Sequence, residues 1–328
     1  MLKNKKLLQE SKNLLAFSAG VDSSALFFLL LENNISFDIA IVHYHTRPQA
    51  EEEVAYAKEL AKKYTLKCYL FDAPKIEKNF EAKARAIRYD FFDSLIAEHH
   101  YTTLLTAHHL GDRFEWMLMQ FCKGAGCVEL SGMKPLEKRT SYTLVRPLLH
   151  LDKQELLEYL HTNKIKYFED ASNSDSKYKR NVFRQEHTNP LLAQYLQGIK
   201  KSFEYLDADV EDLVEEIEVK KFKALAYFKN TPSIRSNIRA IDRHLKSEGR
   251  VISASERKLL EEKSSVVISR EYIVSHTRKY TFIAPYVKAT NMSKALKEKL
   301  RVLKVDPKLR GYLSSDADAE AFVSLLLE

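Results

Sequence analysis

Between residue 13 and about residue 161, short apolar runs alternate with segments whose apolar positions recur every three or four residues. The runs at 14–17, 37–43, 67–71, 103–107 and 143–146 predict strands, and 51–64, 79–98, 112–122 and 152–163 predict helices. Strands and helices in this order define an α/β class: a doubly wound, mainly parallel sheet with helices on both faces. In such sheets ligands gather at the carboxyl ends of the strands. Asp152, with Glu155 three residues on, reads as the N-cap of the helix that follows. Farther along, Phe203, Leu206, Val210, Leu213, Val214 and Ile217 keep the helical spacing through one acidic stretch. The boundaries expected are 1–200 for the first domain, 201–218 for an acidic linker helix and 219–328 for a smaller C-terminal domain. In that last domain 233–246, 254–262 and 294–303 predict helices, 265–268 and 280–283 predict strands, and 314–328 predicts a terminal helix. This describes a small helical or α+β module, and no internal repeat or low-complexity tract interrupts it.

Composition narrows the picture. With 328 residues and 45% hydrophobic content the chain can bury a core and suggests two or three domains. No apolar run approaches eighteen residues, and the start Met1-Leu2-Lys3-Asn4-Lys5-Lys6 lacks the apolar region of a signal peptide. A soluble cytoplasmic protein with no membrane partner is expected. Cys68, Cys122 and Cys127 form no C-x-x-C pair, which argues against a disulfide framework and against a cysteine-held zinc or iron–sulfur site. Charge is polarised beyond the net +7: residues 203–218 hold eight acids and no base, whereas 219–310 hold twenty-three Lys and Arg against eight Asp and Glu. A basic surplus of that size suits a nucleic acid backbone, and it also suits an ordinary solvated surface.

Three clusters carry candidate chemistry. Ser18-Ala19-Gly20-Val21-Asp22-Ser23 lies between the first strand and an apolar helix. A small-residue turn there places unpaired helix N–H groups where a phosphate can approach. Asp22 would repel that phosphate unless a divalent cation intervened, which suggests Mg²⁺. The spacing fits neither a Walker loop nor a G-x-G-x-x-G turn. The same residues could also be a plain helix start capped by Asp22 or Ser23. In the second cluster, Asp112 and Glu115 stand three apart, which puts both carboxylates on one helical face as a cradle for an ammonium group. The cation between them could be a substrate, Mg²⁺ or Arg113, and Glu115 could simply pair with Arg113 or Lys123. His108 and His109 are adjacent and so point apart, which disfavours a shared metal. A histidine at this strand end could bind phosphate, act as acid or base, or be structural. His99 and His100 read as surface residues. The third cluster is cationic: Arg85 and Arg88 at i,i+3, then Arg180 and Arg184 at i,i+4 after the polar segment 169–175.

The turn resembles the S-G-G-x-D-S signature of the PP-loop ATP pyrophosphatases, with Ala19 in place of the first glycine. If that position needs a positive φ, alanine costs about 1 kcal/mol or more. Taken together, S-x-G-x-D-S at 18–23, A-R-x-x-R-Y at 84–89, H-H-x-x-D-x-x-E at 108–115, G-x-G with L-x-G-M-x-P at 124–135, R-P-L-L at 146–149 and the E-D-x-S-N run at 169–184 are similar to the tRNA(Ile)-lysidine synthetases. Gly111, Arg113 and Trp116 depart from the family pattern, and His43-Tyr44-His45-Thr46-Arg47 only loosely echoes its D-H-G-L-R stretch. The resemblance implies ATP and Mg²⁺ as cofactors, with L-lysine and a CAU-anticodon tRNA(Ile) as partners, and it leaves room for a homodimer. It implies ATP contact at Ser18, Ala19, Gly20, Val21, Asp22 and Ser23, with the metal at Asp22. Catalysis would fall to Asp22, Asp112, His109 and Arg180, and lysine binding to Asp112 and Glu115. Contact with tRNA or phosphate would fall to Arg85, Arg88, Arg180, Asn181, Arg184, Arg235 and Arg239. The competing readings are a PP-loop tRNA thiolase, a small-substrate amidating synthetase, and a tRNA-binding protein with a degenerate nucleotide site.

Overall fold

The computed structural model describes residues 1–45, 49–169, 179–288 and 292–328. The segment 170–178, on which the polar turn was expected, lies outside the described residues, as do Thr46 and Arg47. The chain divides into two compact units, Met1–Val210 and Glu211–Glu328.

In the first unit, α1 (Lys5–Gln9) leads into β1 (Asn13–Ala16), α2 (Val21–Glu32), β2 (Phe37–His43), α3 (Gln49–Tyr64), β3 (Cys68–Asp72), α4 (Phe80–His99), β4 (Thr103–Leu105) and α5 (Leu110–Phe121). There follow α6 (Cys127–Ser131), β5 (Leu136–Lys138), β6 (Thr143–Val145), α7 (Lys153–Thr162) and α8 (Lys179–Phe183). A single π-helical turn, Arg184–Thr188, joins α8 to the long α9 (Asn189–Leu213). The sheet runs β3-β2-β1-β4-β6-β5, parallel throughout except for the last strand. That short antiparallel β5 was not expected; its alternating pattern is only three residues long and half-exposed. Leu14, Leu15, Ile39, Leu104 and Leu105 are fully buried, as strands covered on both faces must be. Phe17, Phe27 and Phe37 pack in one cluster with Leu15, Ile39 and Leu105, with Phe27 and Phe37 edge to face at 5.1 Å. β1 pairs with β2 on one side and β4 on the other, so strand order reverses between β1 and β4. A crevice opens at the carboxyl ends of strands at such a reversal.

Of the stretch 201–218 expected as a separate acidic linker helix, residues 201–213 are the second half of α9, while 214–218 lie beyond its end and Ile217 joins the core of the second unit. Phe203 and Leu206 of α9 pack against Leu110, Phe114 and Leu192, so the first unit runs ten residues past the expected boundary at 200.

The second unit holds β7 (Lys220–Phe222), β8 (Leu225–Lys229), α10 (Ile234–Ser247), α11 (Ala254–Glu262), β9 (Ser265–Ile268), β10 (Tyr272–His276), β11 (Tyr280–Pro285), α12 (Lys294–Val302), α13 (Pro307–Ser315) and α14 (Ala317–Leu327). It is α+β: an antiparallel sheet ordered β7-β8-β11-β10-β9. Period-two alternation sends Ala226, Phe228, Val274 and Ile283 to one face, against Ile238, Ile241 and Leu245 of α10. Leu225, Ile273, Phe282 and Ala284 go to the other, against Leu300, Leu309, Leu313 and Val323 of α12–α14.

Candidate active site

The crevice between β1 and β4 carries the first two sequence clusters. Gly20 caps α2 with an extended backbone, and the turn before it closes on itself. Ser18 N–H donates to Ser23 Oγ at 3.2 Å, the two hydroxyls lie 3.1 Å apart, and Ser23 Oγ donates to Gly20 O. Ala19 takes φ 56, the left-handed region that favours glycine. Its carbonyl accepts the Phe168 N–H at 2.9 Å, which pins the strained residue from the far side.

Asp22 in the first turn of α2 bonds Lys153 Nζ at 2.9 and 3.1 Å through its two oxygens. Sequence reasoning saw only a capping box at this helix start, and the structure contains it: Asp152 and Glu155 exchange backbone and side-chain bonds. The capping box in turn orients the first turn of α7, from which Lys153 reaches 131 residues back along the chain to Asp22.

At the end of β4, His109 caps α5. Its Nδ1 accepts the Gly111 N–H at 3.0 Å, so the ring proton sits on Nε2, and the His109 backbone N–H donates to Asp112 Oδ2 at 3.1 Å. A Cβ at residue 111 would stand 2.7 Å from the His109 ring, so glycine is what lets the imidazole seat over the helix start. His109 Nε2 lies 3.6 Å from Asp112 and 4.0 Å from Asp22. His108, not His109, lines the cavity; its Nδ1 meets Thr106 Oγ1 at 2.9 Å, and burial pushes its pKa down to about 4. This pair separates the roles that the sequence left joined: one histidine caps the helix beneath the site and the other faces the cavity.

Asp112 and Glu115 share one face of α5, and two guanidinium groups already occupy the space between them. Arg184 bonds Glu115 at 2.7 Å and Asp112 at 2.9 Å, while Arg180 bonds Glu115 and approaches Asp112 at 3.4 Å. The i,i+4 spacing of the arginines matches the i,i+3 spacing of the acids, and the π-helical turn begins at Arg184 itself. Burial would raise the Asp112 pKa, but His109, His108, Arg184 and Arg180 outweigh it and hold the carboxyl well below its usual range. The intervening cation is therefore neither Arg113 nor Lys123. Arg113 turns the other way, to Ser131 O at 2.9 Å and onto Asp207, with its guanidinium 4.2 Å from the Phe203 ring centroid. Asn181 is half-buried next to Arg180.

A cavity of about 260 Å³ joins these parts: Ser18, Gly20, Asp22 and Ser23 on one wall, Thr106, His108 and Asp112 on another, and Arg85, Arg88 and Tyr44 on a third. Arg85 and Arg88 project from one face of α4, as their spacing predicts, and Arg85 stacks over Tyr89. Glu115, Arg180 and Arg184 are not on this lining. In the second unit Arg235 is exposed, whereas Arg239 lies 3.7 Å from Glu216. Among the described residues no helix is long and apolar enough to cross a membrane, and all three cysteines are free.

A P-loop-like turn without a Walker lysine, at the switch point of a parallel sheet, defines a PP-loop nucleotide-binding protein. The PP-loop domain family model matches residues 1–191. The chain is 44% identical to a tRNA(Ile)-lysidine synthase of Wolinella succinogenes over 95% of both chains. It is 42% identical to that of Helicobacter pylori, over 94% of this chain and 91% of the relative. It belongs to the tRNA(Ile)-lysidine synthase family. Among solved structures, the U34-tRNA thiolase NcsA of Methanococcus maripaludis superposes with a TM-score of 0.53 over 68% of this chain and 80% of that one, at 17% identity. That likeness concerns the fold.

Proposed function

We propose that the chain adenylates C2 of the wobble cytidine, position 34, of a CAU-anticodon tRNA(Ile) with ATP, releasing pyrophosphate, and that the amine of L-lysine then displaces AMP to form lysidine. The observation that supports this reading best is the single cavity bounded by the Ser18–Ser23 turn, the Arg85–Arg88 pair and the His108–Asp112 segment.

ATP's phosphates fit the helix start at residues 18–23, where backbone N–H groups and the positive end of α2 meet an anion. Asp22 offers two carboxylate oxygens beside that seat, the hard donor set that Mg²⁺ uses together with substrate phosphates and water. When bound, the ion neutralises phosphate charge. Lys153, already on the same carboxylate, supplies a second cation toward pyrophosphate. Arg85 and Arg88, both on the cavity lining, are assigned to the α-phosphate or the tRNA. Asp112 is the carboxylate of the pair that reaches the cavity, so lysine's ammonium is assigned there. Glu115, 1% exposed, holds Arg180 and Arg184 in place behind it. His109 positions Asp112 through the capping box, and Asn181 flanks the arginines. In the second unit, exposed Arg235 and the neighbouring Arg239 are assigned to the tRNA backbone. Catalysis comes from alignment and charge neutralisation. Free thiols accord with a reducing, cytoplasmic setting.

To test the reading, the protein is incubated with ATP, Mg²⁺, lysine and a CAU-anticodon tRNA(Ile) transcript, and the RNA is digested and examined by mass spectrometry. The expected product is a nucleoside with the mass of cytidine plus lysine minus water. Asp22→Asn abolishes pyrophosphate release; near-normal release from that variant removes the nucleotide assignment.

A further inference from the structure

We propose that His43, His45 and Asp72 form a binding site for one divalent cation of the zinc class, separate from the nucleotide cavity. His43 and Asp72 are register partners at the carboxyl ends of the adjacent parallel strands β2 and β3. Val42 lines the nucleotide cavity, so the alternation of the strand sends His43 to the opposite face of the sheet. His45 takes a left-handed backbone, φ 53, and its ring lies 3.8 Å from that of His43.

Their polar atoms converge. Asp72 Oδ1 is 3.3 Å from His43 Nδ1 and 3.2 Å from His45 Nε2, and one ligand atom from each of the three residues lies within 4.8 Å of the others. A tetrahedral zinc with bonds of about 2.0 Å sets its ligand atoms about 3.3 Å apart. Two of the three edges already have that length. The third closes by rotation of His45, whose side chain is 51% exposed. Two imidazoles and one carboxylate suit Zn²⁺ and its first-row neighbours, whereas Mg²⁺ and Ca²⁺ prefer oxygen throughout.

The buried ring of His43 supplies a second, independent indication. It is 4% exposed, and its Nε2 has no hydrogen-bond partner among the described residues. With Nδ1 on a metal, Nε2 must carry the proton, and the nearest carboxylate oxygen, Glu51 Oε1, lies 3.6 Å away. That is the carboxylate–histidine–metal arrangement in which the outer acid fixes the tautomer and makes the ligand more basic. Rotation of the Glu51 side chain, which is 73% exposed, closes that gap. Three protein ligands leave a fourth position for water.

The test uses tag-free full-length protein stripped with a chelator, then titrated with Zn²⁺ by calorimetry and with Co²⁺ by visible absorption. One equivalent per chain and the d–d band of four-coordinate cobalt are expected. His45→Ala and Asp72→Asn, both at exposed side chains, abolish that equivalent and the zinc-dependent rise in Tm. Glu51→Gln weakens binding about 10- to 100-fold. A Cys122→Ser, Cys127→Ser double variant keeps the site, which separates it from the exposed thiols. Uptake that survives both His45→Ala and Asp72→Asn, or no uptake of either metal, overturns the proposal. In the latter case the cluster is a pair of imidazole–carboxylate hydrogen bonds.

Discussion

Ala19 shows how much one methyl group can decide. The sequence placed a small residue where the phosphate turn is tightest and raised the cost of a positive φ; the backbone is positive, and the methyl is fully buried. Two effects then oppose each other. Glycine would relieve about 1–2 kcal/mol of left-handed strain, but it would forfeit about 0.8 kcal/mol of burial and loosen the unfolded chain by about 0.5–1 kcal/mol. Ala19→Gly is therefore expected to move the urea-unfolding free energy by less than about 1 kcal/mol. Ala19→Val, β-branched in the same backbone, costs more than about 2 kcal/mol. Equal stability of the valine variant and the parent would show that the turn relaxes freely. Of the cavity lining, the Ser18–Ser23 turn, Arg85, Arg88 and Asp112 were legible because turn, helix start and i,i+3 spacing are local patterns, whereas Tyr44 and Thr106 carry no such pattern. Lys153 was not legible either, since nothing in a helix start says which distant carboxylate its first lysine meets.

The departures in α5 become intelligible at the level of whole elements. Asp112 and Glu115 leave α5 on one face, toward Arg180 and Arg184, and Arg113 leaves on another, toward α9. Arg113, 4% exposed, bonds the Ser131 carbonyl and Asp207, and Ser131 Oγ donates to Asp207 at 3.0 Å. Thus α5, α6 and α9 meet at one guanidinium. Removing it strands a carboxylate that is 32% exposed, so Arg113→Gln is expected to cost about 2–3 kcal/mol, below the range for a fully buried pair. A double-mutant cycle with Asp207→Asn should return a coupling of about 1–2 kcal/mol. Additive effects of the two substitutions would dissociate α9 from this role. Sequence periodicity found the acidic helix but not its partner, because an amphipathic stripe states that a face is covered and not by what. The missed β7, β8 and β10 have the same origin: runs of three to five residues carry too little alternation to stand apart from the loops.

Across the whole molecule, ionisation of the site couples to folding. His108 titrates near 4 in the folded protein and near 6.5 when unfolded, so between those values the unfolded chain binds more protons. The stability this neutral imidazole contributes is complete above about pH 6.5 and is lost as pH falls toward 4, by about 3 kcal/mol at most. His150, also pushed down to about 4, chiefly by burial, adds to the same slope. The Asp112 carboxylate, held low, contributes above about pH 4 and loses its share only below that. Urea midpoints are therefore expected to fall between pH 7 and 4.5, and His108→Asn should flatten part of that fall. An unchanged slope in the variant would place the proton uptake elsewhere.

The five-stranded sheet of the second unit has helices on both faces. Among the described residues neither face of that sheet is left as an open platform on which unstacked bases could lie flat against aromatic rings, as they do on sheet-surface RNA readers. If this unit holds the tRNA, as proposed through Arg235 and Arg239, charge on the lysines and arginines of its helices and loops supplies the hold. Such a hold weakens steeply with added salt and is nearly blind to base identity. Under the proposed function, choosing one anticodon among many then becomes a task for the cavity of the first unit.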